Sequence, residues 1–300
     1  ATATSWPSAH AQLASAWMVP AAAHNPGVNG TFWRTDLSVH NPHQHRLQVV
    51  LQVLASDQAN WEVPTFDLVL EPYETVNLWD AMGPETFDVE GTGALLAYAD
   101  PGLEGGDGSC EFLVSSRTYT VVPWGGPGEF GQTVPGVDPR LGTDWWSYGY
   151  VAGILNDGGD FRCNVGVASW TPGRVVVRVD VQDAAGSILA TEELDVPPYG
   201  HRQRRLTTPV SGGSLVFYIV SGDEDALVFP YASTANQDTG DASFSAALPS
   251  DIGVSVPKKR AARADREMPL AKDGRRTLDR GAGGPVPRPS LEAPMPRISA

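Results

Sequence analysis

Much of the chain is written twice. Phe32-Trp33-Arg34-Thr35-Asp36-Leu37-Ser38-Val39 returns as Phe161-Arg162-Cys163-Asn164-Val165-Gly166-Val167, with an Arg and an Asp or Asn in the same alternating places. Glu71-Pro72-Tyr73 returns as Pro197-Pro198-Tyr199, and Gly93-Ala94-Leu95-Leu96-Ala97-Tyr98 as Gly213-Ser214-Leu215-Val216-Phe217-Tyr218. Three echoes in one order exclude chance, and a repeat sets the architecture before any motif is weighed. The copies span roughly 17–124 and 146–248, about 100 residues each, which is enough for a packed core apiece.

Within each copy the period is two. Leu47, Val49, Leu51 and Val53 alternate with Gln48 and Gln52, and Val175, Val177, Val179 and Val181 alternate with Arg178, Asp180 and Gln182. That pattern belongs to strands with one packed face and one wet face. Strands are expected near 17–23, 33–41, 45–56, 66–72, 74–82, 93–100 and 111–122. In the second copy they fall near 148–156, 161–169, 173–183, 187–196, 200–208, 213–221, 226–234 and 243–248. The 32 Gly and 25 Pro suit many short strands joined by turns. The expected fold is therefore all-β: two tandem immunoglobulin-like β-sandwich modules, 17–124 and 146–249. An N-terminal extension, 1–16, precedes them. A Gly/Pro-rich connector, 125–145, separates them, and an extended Pro/Arg-rich tail, 250–300, follows.

Charge divides the chain further. Of 21 Lys and Arg, 11 fall in 251–300, with 6 of the 35 Asp and Glu, so the tail carries +5 and the body −19. An acidic body repels phosphate backbones and anionic lipid, which excludes nucleic acid as its partner. No apolar run approaches the length of a transmembrane helix. The opening residues lack Met and an apolar h-region, as expected of a mature secreted chain. Cys110 and Cys163, one in each copy, fit either a single disulfide in an oxidising compartment or two buried thiols.

A resemblance points the same way. Val19-Pro20-Ala21-Ala22-Ala23-His24, Gly30-Thr31-Phe32-Trp33-Arg34-Thr35-Asp36-Leu37, Ser116-Arg117-Thr118-Tyr119, Gly128-Glu129-Phe130-Gly131-Gln132 and Tyr231-Ala232-Ser233 occur in order. Together they resemble a group of secreted bacterial proteins of uncharacterised activity, built from tandem β-sandwich repeats. The likeness covers roughly 17–248. It implies an extracellular or cell-surface location and carries over no functional residue.

Reactive constellations are weak. His40, His43 and His45 flank a turn and are weighed as metal ligands, but a tight turn attracts polar residues anyway. The loops Asp157-Gly158-Gly159-Asp160, Asp223-Glu224-Asp225 and Asp238-Thr239-Gly240-Asp241 offer oxygen ligands for calcium without the spacing of a calcium loop. No Gly-x-Ser-x-Gly elbow occurs, so no catalytic residue, cofactor or enzyme activity is assigned. Trp124, Trp145, Trp146 and Tyr148 lie in or beside the connector and are the expected partner contacts. The reading is a non-enzymatic extracellular structural protein. It self-associates through its basic tail and sheet edges as a filament or cell-surface subunit. The alternative is an adhesin-like module that binds glycans or a surface.

Overall fold

A computed structural model describes residues 14–27, 30–100, 110–121, 128–250, 270–271 and 276–277. The first half contributes β1 (Ala16–Pro26), β2 (Phe32–His40), β3 (Leu47–Ala55), β4 (Glu62–Val63), β5 (Thr65–Leu70), β6 (Thr75–Leu78), β7 (Gly91–Ala99), β8 (Leu113–Val121) and β9 (Glu129–Pro135). A short 3-10 turn at Pro139–Leu141 and β10 (Thr143–Asp144) lead into the second half. There follow β11 (Tyr148–Asn156), β12 (Phe161–Ser169), β13 (Val175–Gln182), β14 (Ile188–Val196), β15 (His201–Arg205), β16 (Val210–Ser221), β17 (Leu227–Asn236), β18 (Ala242–Ala246) and β19 (Leu248–Ser250). Two short strands of the tail, β20 (Leu270–Ala271) and β21 (Arg276–Thr277), end the described chain.

The duplication is preserved in the topology. In the second half, β14-β13-β16-β11 form one sheet and β15-β12-β17-β18 the other, and in the first half β5-β3-β7-β1 and β6-β2-β8-β9 repeat both orders. In the first half β1 shifts register between Val19 and Ala22, and its far end pairs with β2, so both sheets join into one that curls round its core. The architecture is all-β, with antiparallel sheets packed as sandwiches. Its outer strands trade places relative to the immunoglobulin order: the first strand of each half lies beside the sixth, and the seventh beside the second.

The local echoes have physical reasons. Tyr73 and Tyr199 both take positive φ, 61° and 44°, each after a Pro. Glu74 N–H donates to the Glu71 carbonyl at 3.1 Å and Gly200 N–H to the Pro197 carbonyl at 3.0 Å, so both copies turn by the same tight, Pro-led route. Gly93 and Gly213 are also equivalent. A Cβ on Gly93 would stand 2.6 Å from the Leu54 carbonyl oxygen, and one on Gly213 2.0 Å from that of Gln182. Backbone cannot yield as a side chain does, so Gly93→Ala and Gly213→Ala are each expected to cost about 1–3 kcal/mol, read as a lowered urea midpoint.

Three apolar clusters fill the body. Leu37, Val39, Val49, Leu51, Val53, Leu68 and Leu95 belong to the core of the first half. Val165, Val167, Val175, Val177, Val179, Val181, Leu215 and Phe217 belong to that of the second, and the four alternating valines are completely buried as their spacing predicts. The third cluster, with Met18, Leu54, Val63, Ala94, Leu96, Ala168, Trp170, Tyr199, Leu227 and Phe229, draws on both halves. Successive residues of β7 therefore serve different cores, Leu95 inside the first half and Leu96 between the halves. Gln52, expected on a wet face, is fully buried for the same reason.

Polar contacts lock this junction. Asn60 N–H donates to the Pro198 carbonyl at 3.0 Å, and its Nδ2 donates to the Tyr199 carbonyl at 2.9 Å. Asp57 N–H donates to the His201 carbonyl at 3.0 Å, and Arg202 Nη1 lies 2.9 Å from Asp57 Oδ1. His201 itself is completely buried, with Nδ1 2.6 Å from Ser56 Oγ and Nε2 2.7 Å from the Tyr231 hydroxyl, which donates to Gln203 Oε1 at 2.6 Å.

The segment read as a connector carries strand. β9 pairs with β8 along seven residues, from Ser115 opposite Pro135 to Val121 opposite Glu129. Its Gly131, which resembles a loop signal in the sequence, allows close approach: a Cβ there would lie 2.5 Å from that of Tyr119.

Candidate binding face

The residues singled out for chemistry are placed apart. His40 Nδ1 lies 2.9 Å from Thr75 Oγ1, and His43 Nε2 lies 2.6 Å from the Glu111 carbonyl oxygen. His43 and His45 stack at 4.9 Å instead of converging on a point. Among the described residues, no group of three His, Cys, Asp or Glu gathers to hold a metal ion. The Asp157 carboxylate accepts from the backbone N–H of Gly159 and of Phe161, both at 2.9 Å. Those bonds hold it below the usual carboxylate range. It acts there as a turn former.

No disulfide joins Cys110 and Cys163. Cys110 packs against the core of the first half and Cys163 sits inside that of the second, so the bridge weighed from the sequence is corrected by their separate burial. Burial pushes the Cys163 thiol up, which keeps it protonated and inert. Trp124 lies outside the described residues. Trp145 is half-buried and packs on the core of the second half, and Trp146 is half-buried in the turn that follows β10.

The Arg and Asp of the repeated motif meet in the first half. Arg34 Nε lies 3.5 Å from Asp80 Oδ2, the Asp36 carboxylate accepts from Asp80 N–H at 3.0 Å, and His24 Nδ1 lies 2.8 Å from Asp80 Oδ2. Asp80 has φ 55°, so these contacts hold a strained turn against β2. Burial pushes its carboxyl up, and the neighbouring His24 and Arg34 oppose the shift. In the first copy the motif serves this turn.

Tyr148, half-buried, stands on the outer face of a sheet, beside the exposed Tyr150. The outer face of the sheet β14-β13-β16-β11-β19 presents side chains in rows set by register. One row runs Glu193, Arg178, Tyr218, Tyr148 and Ser250; the next runs Thr191, Asp180, Val216, Tyr150 and Leu248. The ring of Tyr148 stands 5.5 Å from that of Tyr218 and 6.3 Å from that of Tyr150, with planes tilted by 58° and 45°. Beside these rings, Arg178 Nη2 donates to Glu193 Oε1 at 2.7 Å. Asp180 accepts from Thr191 Oγ1 at 2.7 Å and from the Tyr218 hydroxyl at 3.2 Å. Burial pushes the Tyr218 phenol up, so it stays a donor. Tyr150 is 37% exposed and Leu248 71%. The face thus joins an aromatic corner to a strip of charged hydrogen-bonding groups, each with capacity left over after its internal bonds.

Sequence reasoning missed Tyr150, Tyr218, Arg178 and Asp180 as one group. The signal was present, because all four occupy outward positions of alternating strands, but only cross-strand register brings them together.

Neither a family model nor a curated protein matches the chain. Among solved structures, one described as a candidate secreted protein from Parabacteroides distasonis ATCC 8503 covers 78% of this chain and 84% of its own, at 10% identity and a TM-score of 0.21. A likeness at that TM-score carries no argument.

Proposed function

We propose that the protein is a non-enzymatic, secreted binding protein of adhesin type that holds a saccharide on the outer face of the sheet bearing Tyr148, Tyr150 and Tyr218. The carrying observation is the aromatic corner beside Arg178, Asp180, Thr191 and Glu193. Tyr rings present an apolar face to the C–H side of a pyranose while keeping a hydroxyl for hydrogen bonding. The guanidinium supplies up to five donors and the carboxylates supply acceptors only, which matches the mixed donors and acceptors of sugar hydroxyls. An acidic body also favours a neutral ligand over a polyanion.

Calorimetric titration with soluble gluco-, manno- and chito-oligosaccharides tests this. Binding of one class is expected, with Tyr150→Ala and Arg178→Ala each weakening it about 10-fold, the scale of one stacked ring or one charged hydrogen bond. An affinity unchanged in both variants would place the ligand elsewhere.

A second reading, a self-associating cell-surface or filament subunit, draws its support from the tail. The basic segment forms β20 and β21 on the edge of the first half, so the chain carries both a strand donor and a strand acceptor.

A further inference from the structure

The two halves finish their equivalent edges differently. In the second half the edge strand β14, Ile188 to Val196, carries Glu192, Glu193 and Asp195. These pair with Arg204, Arg178 and Arg174, and its register shifts between Val181 and Gln182 of its neighbour. Charges and an irregular register are the means by which sheets blunt an exposed edge. Its counterpart β5, Thr-Phe-Asp-Leu-Val-Leu, has a single charged residue and pairs with β3 over six residues without a shift. A regular apolar edge is a template for another strand.

In the structure the tail pairs with part of that edge. Arg276 and Thr277 of β21 lie parallel to β5 opposite Phe66 and Asp67, and Leu270 and Ala271 of β20 lie parallel to β4 opposite Glu62 and Val63. Pro64, between β4 and β5, offers no N–H, which divides the site into two short ladders. The donor segment Leu270-Ala271-Lys272-Asp273-Gly274-Arg275-Arg276-Thr277 carries three bases and one acid against a body of net charge −19.

We propose that the β4–β5 edge is a strand-acceptor site for this C-terminal segment, filled by the chain's own tail in dilute solution and by the tail of a second copy when molecules are crowded. This deepens the self-association reading and is independent of saccharide binding. The contacts are identical in both cases, so concentration decides between them. Only the 19 residues 251–269 separate the donor from the body, and a covalent link of that length sets an effective concentration on the order of millimolar. Below it the tail closes on its own edge. Above it, as on a crowded surface, an exchanged tail links one copy to the next, and a head-to-tail link propagates unless it closes into a ring.

Cysteine trapping in the full chain tests both states. Glu62 is exposed and stands opposite Leu270, so a Glu62→Cys/Leu270→Cys double variant is expected to form an intrachain disulfide under mild oxidation at micromolar concentration. Separate Glu62→Cys and Leu270→Cys variants, mixed, are expected to form an interchain disulfide that rises at least 10-fold in yield between micromolar and millimolar protein. A Leu270→Cys chain that also carries Thr277→Pro should show a reduced yield. Absence of the intrachain bond would overturn the site. An intrachain bond without any interchain bond at millimolar protein would overturn the exchange. Titration of the same variants with oligosaccharide reads the tyrosine face separately, so failure of one does not imply failure of the other.

Discussion

Lowering the pH from 7 to 4 is expected to remove about 3 kcal/mol of stability through His201 alone. The imidazole is completely buried at the junction of the halves, and burial pushes its pKa down to about 3 from an ordinary 6.5, with the charge of Arg202 adding to the shift. A base whose folded pKa is depressed is neutral in the native state and takes up a proton only on unfolding. Its contribution is therefore fully present above pH 6.5 and is lost progressively as pH falls toward 3, at about 1.4 kcal/mol per unit. The groups around it reinforce this. Ser56 Oγ and the Tyr231 hydroxyl take its two nitrogens, burial pushes the Tyr231 phenol up, and among the described residues desolvation and the Arg202 charge are what act on the ring, both against an imidazolium. Acid also acts on the surface carboxylates, so the measurement is a difference: urea unfolding of wild-type and His201→Gln at both pH values. The variant starts lower at pH 7, having lost ring packing on Tyr231, but its loss on acidification should be smaller by about 3 kcal/mol. Equal losses in both proteins would mean that His201 is hydrated or already charged.

His201 also marks the limit of what the sequence reveals. Period-two alternation located fifteen strands, because each needs only local spacing, and β11 and β12 begin and end where it places them. The echo of Gly93 in Gly213 was visible as a repeat, but its reason, a backbone carbonyl where a Cβ would stand, needed the neighbouring strand. What eluded the sequence depends on residues far apart in the chain. Met18, Leu96 and Phe229 read as ordinary core positions, and nothing local tells that they pack between the halves. β9 was hidden by its own Gly and Pro, although the eighth strand of the second copy, β18, implies one in the first. The Tyr148, Tyr150 and Tyr218 corner required the register of β11 on β16 and of β16 on β13. The tryptophans drew attention as the largest rings, yet Trp145 was recruited by the core.

The second large effect is expected at Leu96. This side chain is fully buried on the face of β7 that looks away from the core of its own half, among Met18, Leu54, Trp170, Leu227 and Phe229. Leu96→Ala leaves a cavity bounded by both halves and should cost about 2–5 kcal/mol. The control is one residue away. Leu95→Ala removes the same atoms from the core of the first half and should cost about as much, since Leu95 is equally buried. The two variants separate in cooperativity. With the shared cluster intact, a perturbation in either core is felt by the whole body, so wild-type and Leu95→Ala are expected to unfold in one calorimetric transition. Leu96→Asp places a carboxylate in the junction without touching either core, and there the transition should split in two as the halves lose their common surface. A single transition in Leu96→Asp would mean that Asn60, Arg202 and the His201 network couple the halves without apolar help. A split transition would give the duplication its purpose: each copy lends one sheet face to a third core, and that core, more than the connector, fixes where the tyrosine face stands relative to the strand-accepting edge.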